Sequence, residues 1–370
     1  MSIQQFTSDN QSPICPDAWA GLIAANSVGH VSSYGDDHWT ARASDLLREI
    51  FETDCEVFFC LTGTAANALT IAHLCQSYNS VICHEAAHVE TDECGAPEFF
   101  ANGAKLLLSG GPGGKLAPAG VESIVTKRTD IHYPRPRVLS LTQATELGTV
   151  YSPQEIQALY VAAKANGLRV HMDGARFANA VASLGVKPAE LTWRIGIDAL
   201  CLGGTKNGLP MGEAVLFFNR DIAHDFEYRC KQSGQLASKM RYIAAPWMHV
   251  LESGAWLRNA QHANQMAQLL AARLRELPNI EVVHPVQANS VFVRMPEPWI
   301  KAMRDRHWSF YTFIGNSARL MTSWDSKPQD IERFVADLSD IAVEGLPTSN
   351  DPSVSVAQVA ECQKTRPAPG

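Results

Sequence analysis

The feature that most constrains the fold of this 370-residue chain is an alternation of two patterns between about residues 40 and 250. Short runs rich in apolar and β-branched residues recur there, and stretches with helical periodicity separate them. The runs predict strands at 56–60, 80–84, 104–108, 137–143, 168–172, 197–202 and 213–218. Strands this apolar are expected to be buried on both faces. They predict an α/β fold with a seven-stranded, mostly parallel sheet covered by helices, in which ligands bind beyond the carboxyl ends of the strands.

The helix between the fourth and fifth predicted strands carries the clearest local signal. Ser152 is a good N-cap, Pro153 suits the first helical position, and Glu155 completes a capping box. Asn166 and Gly167 then predict the end of the helix. A helix so well delimited between two strands supports the alternating pattern.

The pattern changes after about residue 250. A long amphipathic helix, four strand candidates and a last helix together predict a smaller second α/β domain. These elements are expected at about 252–276, at 280–284, 290–295, 310–314 and 318–324, and at 327–342. The end of the chain is rich in Pro, Ser and polar residues, which predicts disorder. We therefore divide the chain into an N-terminal arm (1–35), a large domain (36–250), a small C-terminal domain (251–346) and a disordered tail (347–370).

Composition argues against several classes of protein. The formal net charge is −7 and no cationic block occurs, so nucleic acid and anionic membranes are not expected partners. No apolar run reaches the roughly 18 residues of a membrane span, and the first residues lack the features of a signal peptide. The nine cysteines include no CxxC pair, which predicts reduced thiols and a cytoplasmic protein. We predict no metal site, including at HEAAH (84–88).

Two turns rich in small residues are candidates for binding an anion. TGTAAN, at 62–67, joins a predicted strand to a helix, so backbone N–H groups and the helix dipole would face a ligand there. Small residues are also common at ordinary strand–helix turns, so both interpretations stay open. GGPGGK, at 110–115, lacks the spacing and the hydroxyl residue of a P-loop, which favours an ordinary loop.

Asp173, in HMDGAR, lies at the end of a nearly continuous apolar strand. A carboxylate buried at such a place needs a cationic partner. Arg176 is one candidate, and the pair would then be structural. The alternative is that Asp173 faces a ligand nitrogen and keeps it protonated.

Lys206 lies between a Gly-Gly-Thr turn and an Asn-Gly turn, just after a predicted strand. An amine that is desolvated just beyond the carboxyl end of a strand becomes a nucleophile able to form a Schiff base. A structural lysine that snorkels to the surface is the alternative.

Two histidines, His88 and His132, also flank predicted strands. Either could be an ordinary hydrogen-bonded residue, but histidine titrates near neutral pH and can move a proton. An anion cradle, a partner for a ring nitrogen and an amine for an aldehyde are together what pyridoxal phosphate requires. The combination is more specific than any one of its parts.

With these residues in view, the chain resembles the L-threonine aldolases, which are pyridoxal-phosphate lyases of the aspartate-aminotransferase-like fold (fold type I). The likeness runs from FTSDN, near residue 6, to about residue 342, and it is most specific in HMDGARFANA and GGTKNG. YGDDHWTARAS, HVETDECGAPEF and FYTFIG are most similar to the low-specificity bacterial members, including phenylserine aldolases. The resemblance implies cleavage of L-threonine, L-allo-threonine and other L-β-hydroxy-α-amino acids to glycine and an aldehyde.

The resemblance also implies roles for individual residues. Lys206 would hold pyridoxal 5′-phosphate as a Schiff base, and Asp173 would pair with its ring nitrogen. The other matching positions are Gly63 and Thr64 at the phosphate, His88 stacked on the cofactor ring, Ser8, Arg176 and Arg319 at the substrate carboxylate, Arg176 also near the cofactor's phenolic oxygen, His132 near the β-hydroxyl, and Arg241 at the phosphate of a neighbouring subunit. The last match implies a homo-oligomer, a dimer or a tetramer, with sites at subunit interfaces.

The base that removes the β-hydroxyl proton is left open between His88, His132 and an ordered water. Asp92 and Glu93 follow His88 closely enough to contact the β-substituent or to orient the histidine, although a solvated acidic loop is equally plausible. The alternative within enzymes is another pyridoxal-phosphate reaction, β-elimination or transamination. A binding protein without catalysis is less favoured because it would not need Lys206. A dinucleotide oxidoreductase is disfavoured because no GxGxxG follows an early strand.

Overall fold

The computed structural model describes residues 4–313 and 317–344. The strands are β1 (Gln4–Gln5), β2 (Glu56–Cys60), β3 (Asn79–His84), β4 (Lys105–Ser109), β5 (Arg135–Thr142), β6 (Arg169–Gly174), β7 (Ala199–Leu202), β8 (Glu213–Phe217), β9 (Glu281–Val282), β10 (Ser290–Arg294), β11 (Trp308–Ser309), β12 (Tyr311–Phe313) and β13 (Ser317–Met321). The α-helices are α1 (Pro16–Ser27), α2 (His38–Phe51), α3 (Gly63–Leu74), α4 (His88–Thr91), α5 (Ala96–Phe100), α6 (Pro118–Lys127), α7 (Pro153–Ala165), α8 (Phe177–Leu184), α9 (Phe226–Gln232), α10 (Arg241–Glu252), α11 (Ala255–Arg275), α12 (Glu297–Asp305) and α13 (Pro328–Val343). The predicted tail at 347–370 and the last residue of the predicted strand at 310–314 lie outside the described residues.

The main sheet has seven strands in the order β2-β8-β7-β6-β5-β3-β4. β8 runs antiparallel to both of its neighbours, and the other pairings are parallel. The predicted seven-stranded, mostly parallel sheet is therefore confirmed, with small differences at the strand ends, such as 137–143 predicted and Arg135–Thr142 observed. The prediction succeeds because strands such as β3, β7 and β8 are buried along their whole length and so carry a continuous apolar pattern.

Helices cover both faces of this sheet, as predicted. On one face Phe51 of α2, Ile156 of α7 and Trp247 of α10 are fully buried. On the other face Ile71 of α3 and Phe226 of α9 are equally buried. The sheet edge at the carboxyl ends of the strands is thereby left as the place where a ligand can approach.

α7 begins as its sequence predicts. Ser152 Oγ accepts a hydrogen bond from the Glu155 N–H at 3.2 Å, and Glu155 Oε2 accepts one from the Ser152 N–H at 2.7 Å. The predicted capping box is confirmed, and the helix ends at Ala165, directly before Asn166.

A second, smaller unit follows α11 and confirms the predicted C-terminal α/β domain. Its four-stranded antiparallel sheet has the order β12-β13-β10-β9. α11, α12 and α13 contribute Leu270, Trp299 and Phe334 to its core. The numerical domain boundaries given above remain predictions.

The N-terminal arm packs against this second unit. β1 pairs in parallel with β11, and the ring of Phe6 stacks on that of Trp308 with centroids 5.7 Å apart. This anchoring fixes the next residues, Ser8 and Asp9, between the two sheets, where both are buried.

The eight described cysteines are free thiols, and all except Cys94 are buried. Among the described helices, none has the length and apolar character needed to cross a membrane.

Candidate active site

The carboxyl ends of β6 and β7 and the amino end of α3 meet at one edge of the main sheet. β6 and β7 pair in parallel, with Asp173 opposite Cys201. Asn67 of α3 donates a hydrogen bond to the Asp173 carboxylate at 3.0 Å. Lys206 follows the end of β7 by four residues in the chain. Three predicted site features, the turn before α3, Asp173 and Lys206, are thus brought to one place.

The turn before α3 has the form of an anion cradle. Thr62 is the N-cap, and its side-chain oxygen accepts a hydrogen bond from the Ala65 N–H at 3.2 Å. The first N–H groups of a helix, here those of Gly63 and Thr64, have no partner within the helix and carry the positive end of its dipole. A Cβ built on Gly63 would meet nothing within 4 Å, so there is open space beside the turn. A phosphate fits this environment.

Asp173 is 3% exposed, and its hydrogen bonds come from neutral groups. Oδ2 accepts from Asn67 Nδ2 at 3.0 Å, and Oδ1 accepts from the Ala175 N–H at 3.0 Å. Within residues 4–313 and 317–344, no Lys, Arg or His forms an ion pair with it. The interpretation in which Arg176 is its structural partner is wrong, and the alternative, in which Asp173 faces a ligand nitrogen, stays a prediction.

Arg176 pairs instead with Asp9, a residue that we did not single out in the sequence. Arg176 Nε and NH2 donate to the two carboxylate oxygens of Asp9 at 2.7 and 2.8 Å, and Asn289 Nδ2 donates to Asp9 at 3.0 Å. Burial alone would raise the pKa of Asp9, but the ion pair with Arg176, the charge of Lys206 and the hydrogen bond from Asn289 together outweigh burial and lower it. The pair ties the N-terminal arm to the end of the main sheet.

We expect Asp9→Ala to lower the free energy of unfolding by about 3 to 5 kcal/mol, because it leaves the buried guanidinium of Arg176 without its counter-charge. Urea unfolding followed by circular dichroism measures the change. Asp305→Asn, which removes the exposed pair between Lys301 and Asp305, is the matched control and should change little. Equal effects of the two substitutions would contradict the assigned role of the Asp9 pair.

Arg319 and Ser8 lie near this ion pair. Arg319 is half-buried on β13, and its guanidinium lies 5.6 Å from the centroid of the Tyr311 ring. Burial and the positive charge of Arg176 lower the pKa of Arg319. Ser8 is the N-cap of a short 3₁₀ turn, and its side-chain oxygen accepts a hydrogen bond from the Asn10 N–H. Two guanidinium groups close enough to repel one another form an environment that favours an incoming carboxylate.

Lys206 is held by a tight turn whose glycines are required by packing. A Cβ on Gly203 would lie 2.1 Å from the Ala175 carbonyl oxygen, and one on Gly204 would lie 2.5 Å from the Trp247 ring. Lys206 itself is half-buried, and its amine forms no hydrogen bond or ion pair with any described residue. Its charge acts on Asp9, His88 and Glu213, which places the amine near His88 and near the ion pair of Asp9 and Arg176.

His88 begins α4 and is half-buried. Its Nδ1 lies 2.9 Å from Glu93 Oε1, and this hydrogen bond raises the pKa of His88 above the ordinary value of 6.5. Glu93 also accepts a hydrogen bond from Asn67 at 2.9 Å. Of the two acidic residues that follow His88, Glu93 contacts it, whereas Asp92 is exposed and accepts a hydrogen bond from the Thr91 hydroxyl.

Two predicted site residues, His132 and Arg241, have no hydrogen bond or ion pair with the residues at this edge within the described part of the chain. His132 is exposed in the loop before β5. β5 is eight residues long, or about 26 Å, and the site lies at its other end. Arg241 begins α10 and its guanidinium lies 4.9 Å from the Tyr242 ring centroid. Its hydrogen bond is also to Tyr242. The predicted roles of His132 and Arg241 at a site therefore stay predictions.

The prediction of no metal site at HEAAH (84–88) does not follow from the spacing of its residues. Its spacing does match HExxH, so the sequence alone does not exclude zinc. The structure places His84 at the end of β3 rather than on a helix with His88, and the His84 ring contacts Gly111 O and Ala86 N. In the described part of the chain, no group of three or more His, Cys, Asp or Glu side chains could hold a metal ion.

The glycine-rich segment GGPGGK has the packing of an ordinary loop, as predicted. The hydroxyl of Thr145 donates to the Gly113 carbonyl oxygen at 3.0 Å, and the hydroxyl of Thr149 donates to the same oxygen at 2.5 Å. The amine of Lys115 bonds to both carboxylate oxygens of Glu155 at 2.9 Å. The segment therefore offers no anion site.

The residues that do converge fit pyridoxal phosphate. The amino end of α3 suits its phosphate, Asp173 lacks a cation and suits its ring nitrogen, and Lys206 has an amine without a partner among the described residues. Asn67 Oδ1 and Glu93 Oε2 are buried beside them with no hydrogen-bond partner in the described part of the chain. Asn67 is the last residue of TGTAAN, and its place in that turn is the one sequence signal that could have identified it as a site residue.

The chain is similar to known proteins over most of its length. It matches the beta-eliminating lyase family over residues 5–298. It is 60% identical over 336 residues to the low specificity L-threonine aldolase of a Pseudomonas species, a match that covers 90% of this chain and 97% of that protein. The protein of the same name from Pseudomonas aeruginosa is 62% identical over 331 residues, covering 89% and 94%. The structure of Leishmania major threonine aldolase matches with a TM-score of 0.85 at 27% identity, covering 91% of this chain and 99% of that one. The predicted fold type I is confirmed.

Proposed function

We propose that this chain, which belongs to the beta-eliminating lyase family, cleaves the Cα–Cβ bond of L-threonine and related L-β-hydroxy-α-amino acids to give glycine and an aldehyde. The observation that carries the proposal is its high identity, over nearly the whole chain, to two low specificity L-threonine aldolases of Pseudomonas. The convergence of Lys206, Asp173 and the amino end of α3 supports it independently.

The cofactor is pyridoxal 5′-phosphate, which, when bound, accepts the electron pair left by the broken Cα–Cβ bond. Lys206 binds its aldehyde carbon through the side-chain amine. Asp173 accepts a hydrogen bond from the ring nitrogen and keeps that nitrogen protonated. The N–H groups of Gly63 and Thr64 bind the phosphate. His88, at the start of α4, would lie against the ring.

Arg319 and Arg176 hold the substrate carboxylate. Asp9 already occupies Nε and NH2 of Arg176. Arg176 therefore meets the substrate with its remaining N–H groups, and a carboxylate placed between the two guanidinium groups relieves their repulsion. The Ser8 hydroxyl lies beside them and donates its hydrogen to the same carboxylate. This clamp would hold the substrate in one orientation, with its Cα–Cβ bond placed for cleavage.

His88 accepts the β-hydroxyl proton in this proposal, so cleavage should rise with pH through the pKa of His88. Below that pKa the ring is an imidazolium and cannot accept a proton. The midpoint should lie above 6.5, because the Glu93 hydrogen bond raises the pKa of His88.

Initial rates of glycine and acetaldehyde release from L-threonine, measured between about pH 5 and 9, test both the function and this base. His88→Phe should abolish the acid limb of the profile, whereas His132→Phe should retain it. An acid limb that persists in His88→Phe would assign the proton transfer to His132 or to water. Absence of both products from the wild-type chain at every pH would contradict the proposed function.

β-Elimination is the second candidate, because the family that the chain matches is described as beta-eliminating. From L-threonine it would expel the β-hydroxyl as water and, after hydrolysis, give 2-oxobutanoate and ammonia. The same assay separates the two reactions, since only aldol cleavage gives glycine and acetaldehyde.

We also propose a homo-oligomer, a dimer or a tetramer, that acts in the cytoplasm. Trp19 and Ile23, one turn apart on α1, are 53% and 56% exposed, and apolar faces of this kind commonly mark interfaces. Arg241 Nε is buried without a hydrogen-bond partner among the described residues, as expected if another copy of the chain supplies the acceptor. Free buried thiols are typical of reducing compartments. Light scattering that gives the mass of a single chain would contradict the oligomer, and recovery of the protein outside the cytoplasmic fraction would contradict its location.

A further inference from the structure

Asn67 joins two carboxylates that come from different parts of the fold. Its side-chain amide donates one hydrogen to Glu93 Oε1 at 2.9 Å and the other to Asp173 Oδ2 at 3.0 Å. His88 completes the set, because its Nδ1 lies 2.9 Å from the same oxygen of Glu93. These four residues, His88, Glu93, Asn67 and Asp173, are termed the Asn67 bridge. The bridge connects the start of α4 with the end of β6.

Glu93 is isolated from solvent within this bridge. Its side chain is 0% exposed. Oε1 accepts both hydrogen bonds, while Oε2 has no partner in residues 4–313 and 317–344. A carboxylate in such an environment is costly unless a cation lies against it. The ring of His88 is in direct contact with Glu93 and can become cationic, so the protonation of the two groups is coupled.

We propose that Glu93 is a positioning residue for His88: held in place by Asn67, it binds Nδ1–H of the imidazole, so that the ring presents Nε2 to the substrate and accepts the β-hydroxyl proton there. A carboxylate that fixes the tautomer and orientation of a histidine base is a recurrent device in proton transfer. The inference rests on the proposed function only in naming the β-hydroxyl as the group that His88 faces.

The charges around His88 agree with this arrangement. The hydrogen bond that His88 donates to Glu93 raises the pKa of His88, and desolvation opposes this effect. Asp173 and Glu146 raise the pKa further, and Lys206 lowers it. Glu93 lies after α4, Asp173 on β6, Glu146 after β5 and Lys206 after β7. Glu93 alone among them touches the ring, so its removal should have the largest effect on the histidine.

Glu93→Gln tests the proposal, because glutamine keeps the size of the side chain and an oxygen acceptor but removes the charge. The full chain, loaded with pyridoxal phosphate and without any amino acid, is prepared with ¹³C-labelled histidine and titrated by NMR. The Cε1–H signal that disappears in His88→Phe belongs to His88. We expect the pKa of His88 to fall by about one unit or more in Glu93→Gln. Glu90→Gln, on the exposed side of the same short helix, is the matched control and should leave it unchanged.

An unchanged His88 titration in a Glu93→Gln protein that unfolds at the wild-type temperature would overturn the proposal. If that variant does not fold, Glu93→Asp keeps the charge but withdraws it from Nδ1 by one methylene. A smaller fall is then expected, and no fall would also overturn the proposal. The titration needs no substrate, so the role of Glu93 and the proposed function can be refuted independently of one another. A fall in a chain that does not cleave threonine refutes only the proposed function, and cleavage with an unchanged titration refutes only the role of Glu93.

Discussion

Lys206→Ala is expected to release glycine and acetaldehyde from L-threonine at least about 10³-fold more slowly than the wild-type chain. The amine of Lys206 is the group that binds the cofactor's aldehyde in the proposed function, and no other described lysine shares its surroundings. Its charge acts on Asp9 and His88, both at the site. The turn that carries it is shaped by the packing of Gly203 and Gly204, so alanine at 206 should leave the backbone in place.

Borohydride reduction followed by intact mass spectrometry shows the attachment directly. The wild-type chain should gain the mass of the reduced cofactor, and Lys206→Ala should not. Lys105→Ala, at an exposed position on β4, is the matched control and should behave like the wild type in both measurements. A Lys206→Ala chain that still gains the cofactor mass would move the attachment site to another lysine.

The sequence predicted the parts of this site that are encoded locally. Buried parallel strands have a continuous apolar pattern, so the ends of β6 and β7 could be located from composition alone. Asp173 and Lys206 follow those ends directly in the chain. The rule that ligands bind at the carboxyl ends of parallel strands then predicts that the two residues lie together.

Contacts between segments that are distant in sequence had no local signal. Asp9 and Arg176 are 167 positions apart, and Asn67 and Asp173 are 106 apart. From the sequence, a pair between Asp173 and Arg176 is one interpretation. The N-terminal arm supplies a better counter-ion for Arg176, because the Asp9 carboxylate binds the guanidinium bidentately. His132 illustrates a different difficulty, because proximity to a strand does not say which end of the strand a residue flanks. It precedes β5, and the site lies beyond the other end.

Asp173→Asn should lower kcat by about 10²- to 10³-fold with little change in KM for L-threonine. Asparagine has nearly the same shape, and its carbonyl oxygen can still accept the hydrogen bond from Asn67. The amide cannot carry the negative charge that keeps a ring nitrogen protonated, so transition-state stabilisation is lost. Binding of the substrate carboxylate depends on Arg319 and its neighbours, on other elements, and should be nearly unaffected.

Asp198→Asn is the matched control for this substitution. Asp198 precedes β7 at the opposite edge of the same sheet, where its carboxylate accepts hydrogen bonds from the Val170 N–H at 2.8 Å and from Arg169 at 3.2 Å. Its loss should reduce stability without lowering kcat, because no site residue depends on it. If Asp173→Asn kept kcat within a few-fold of the wild type while remaining folded, a protonated ring nitrogen would not be needed for cleavage. Asp173 would then be a structural acceptor for Asn67 and Ala175, and its lack of a cationic partner would require another explanation.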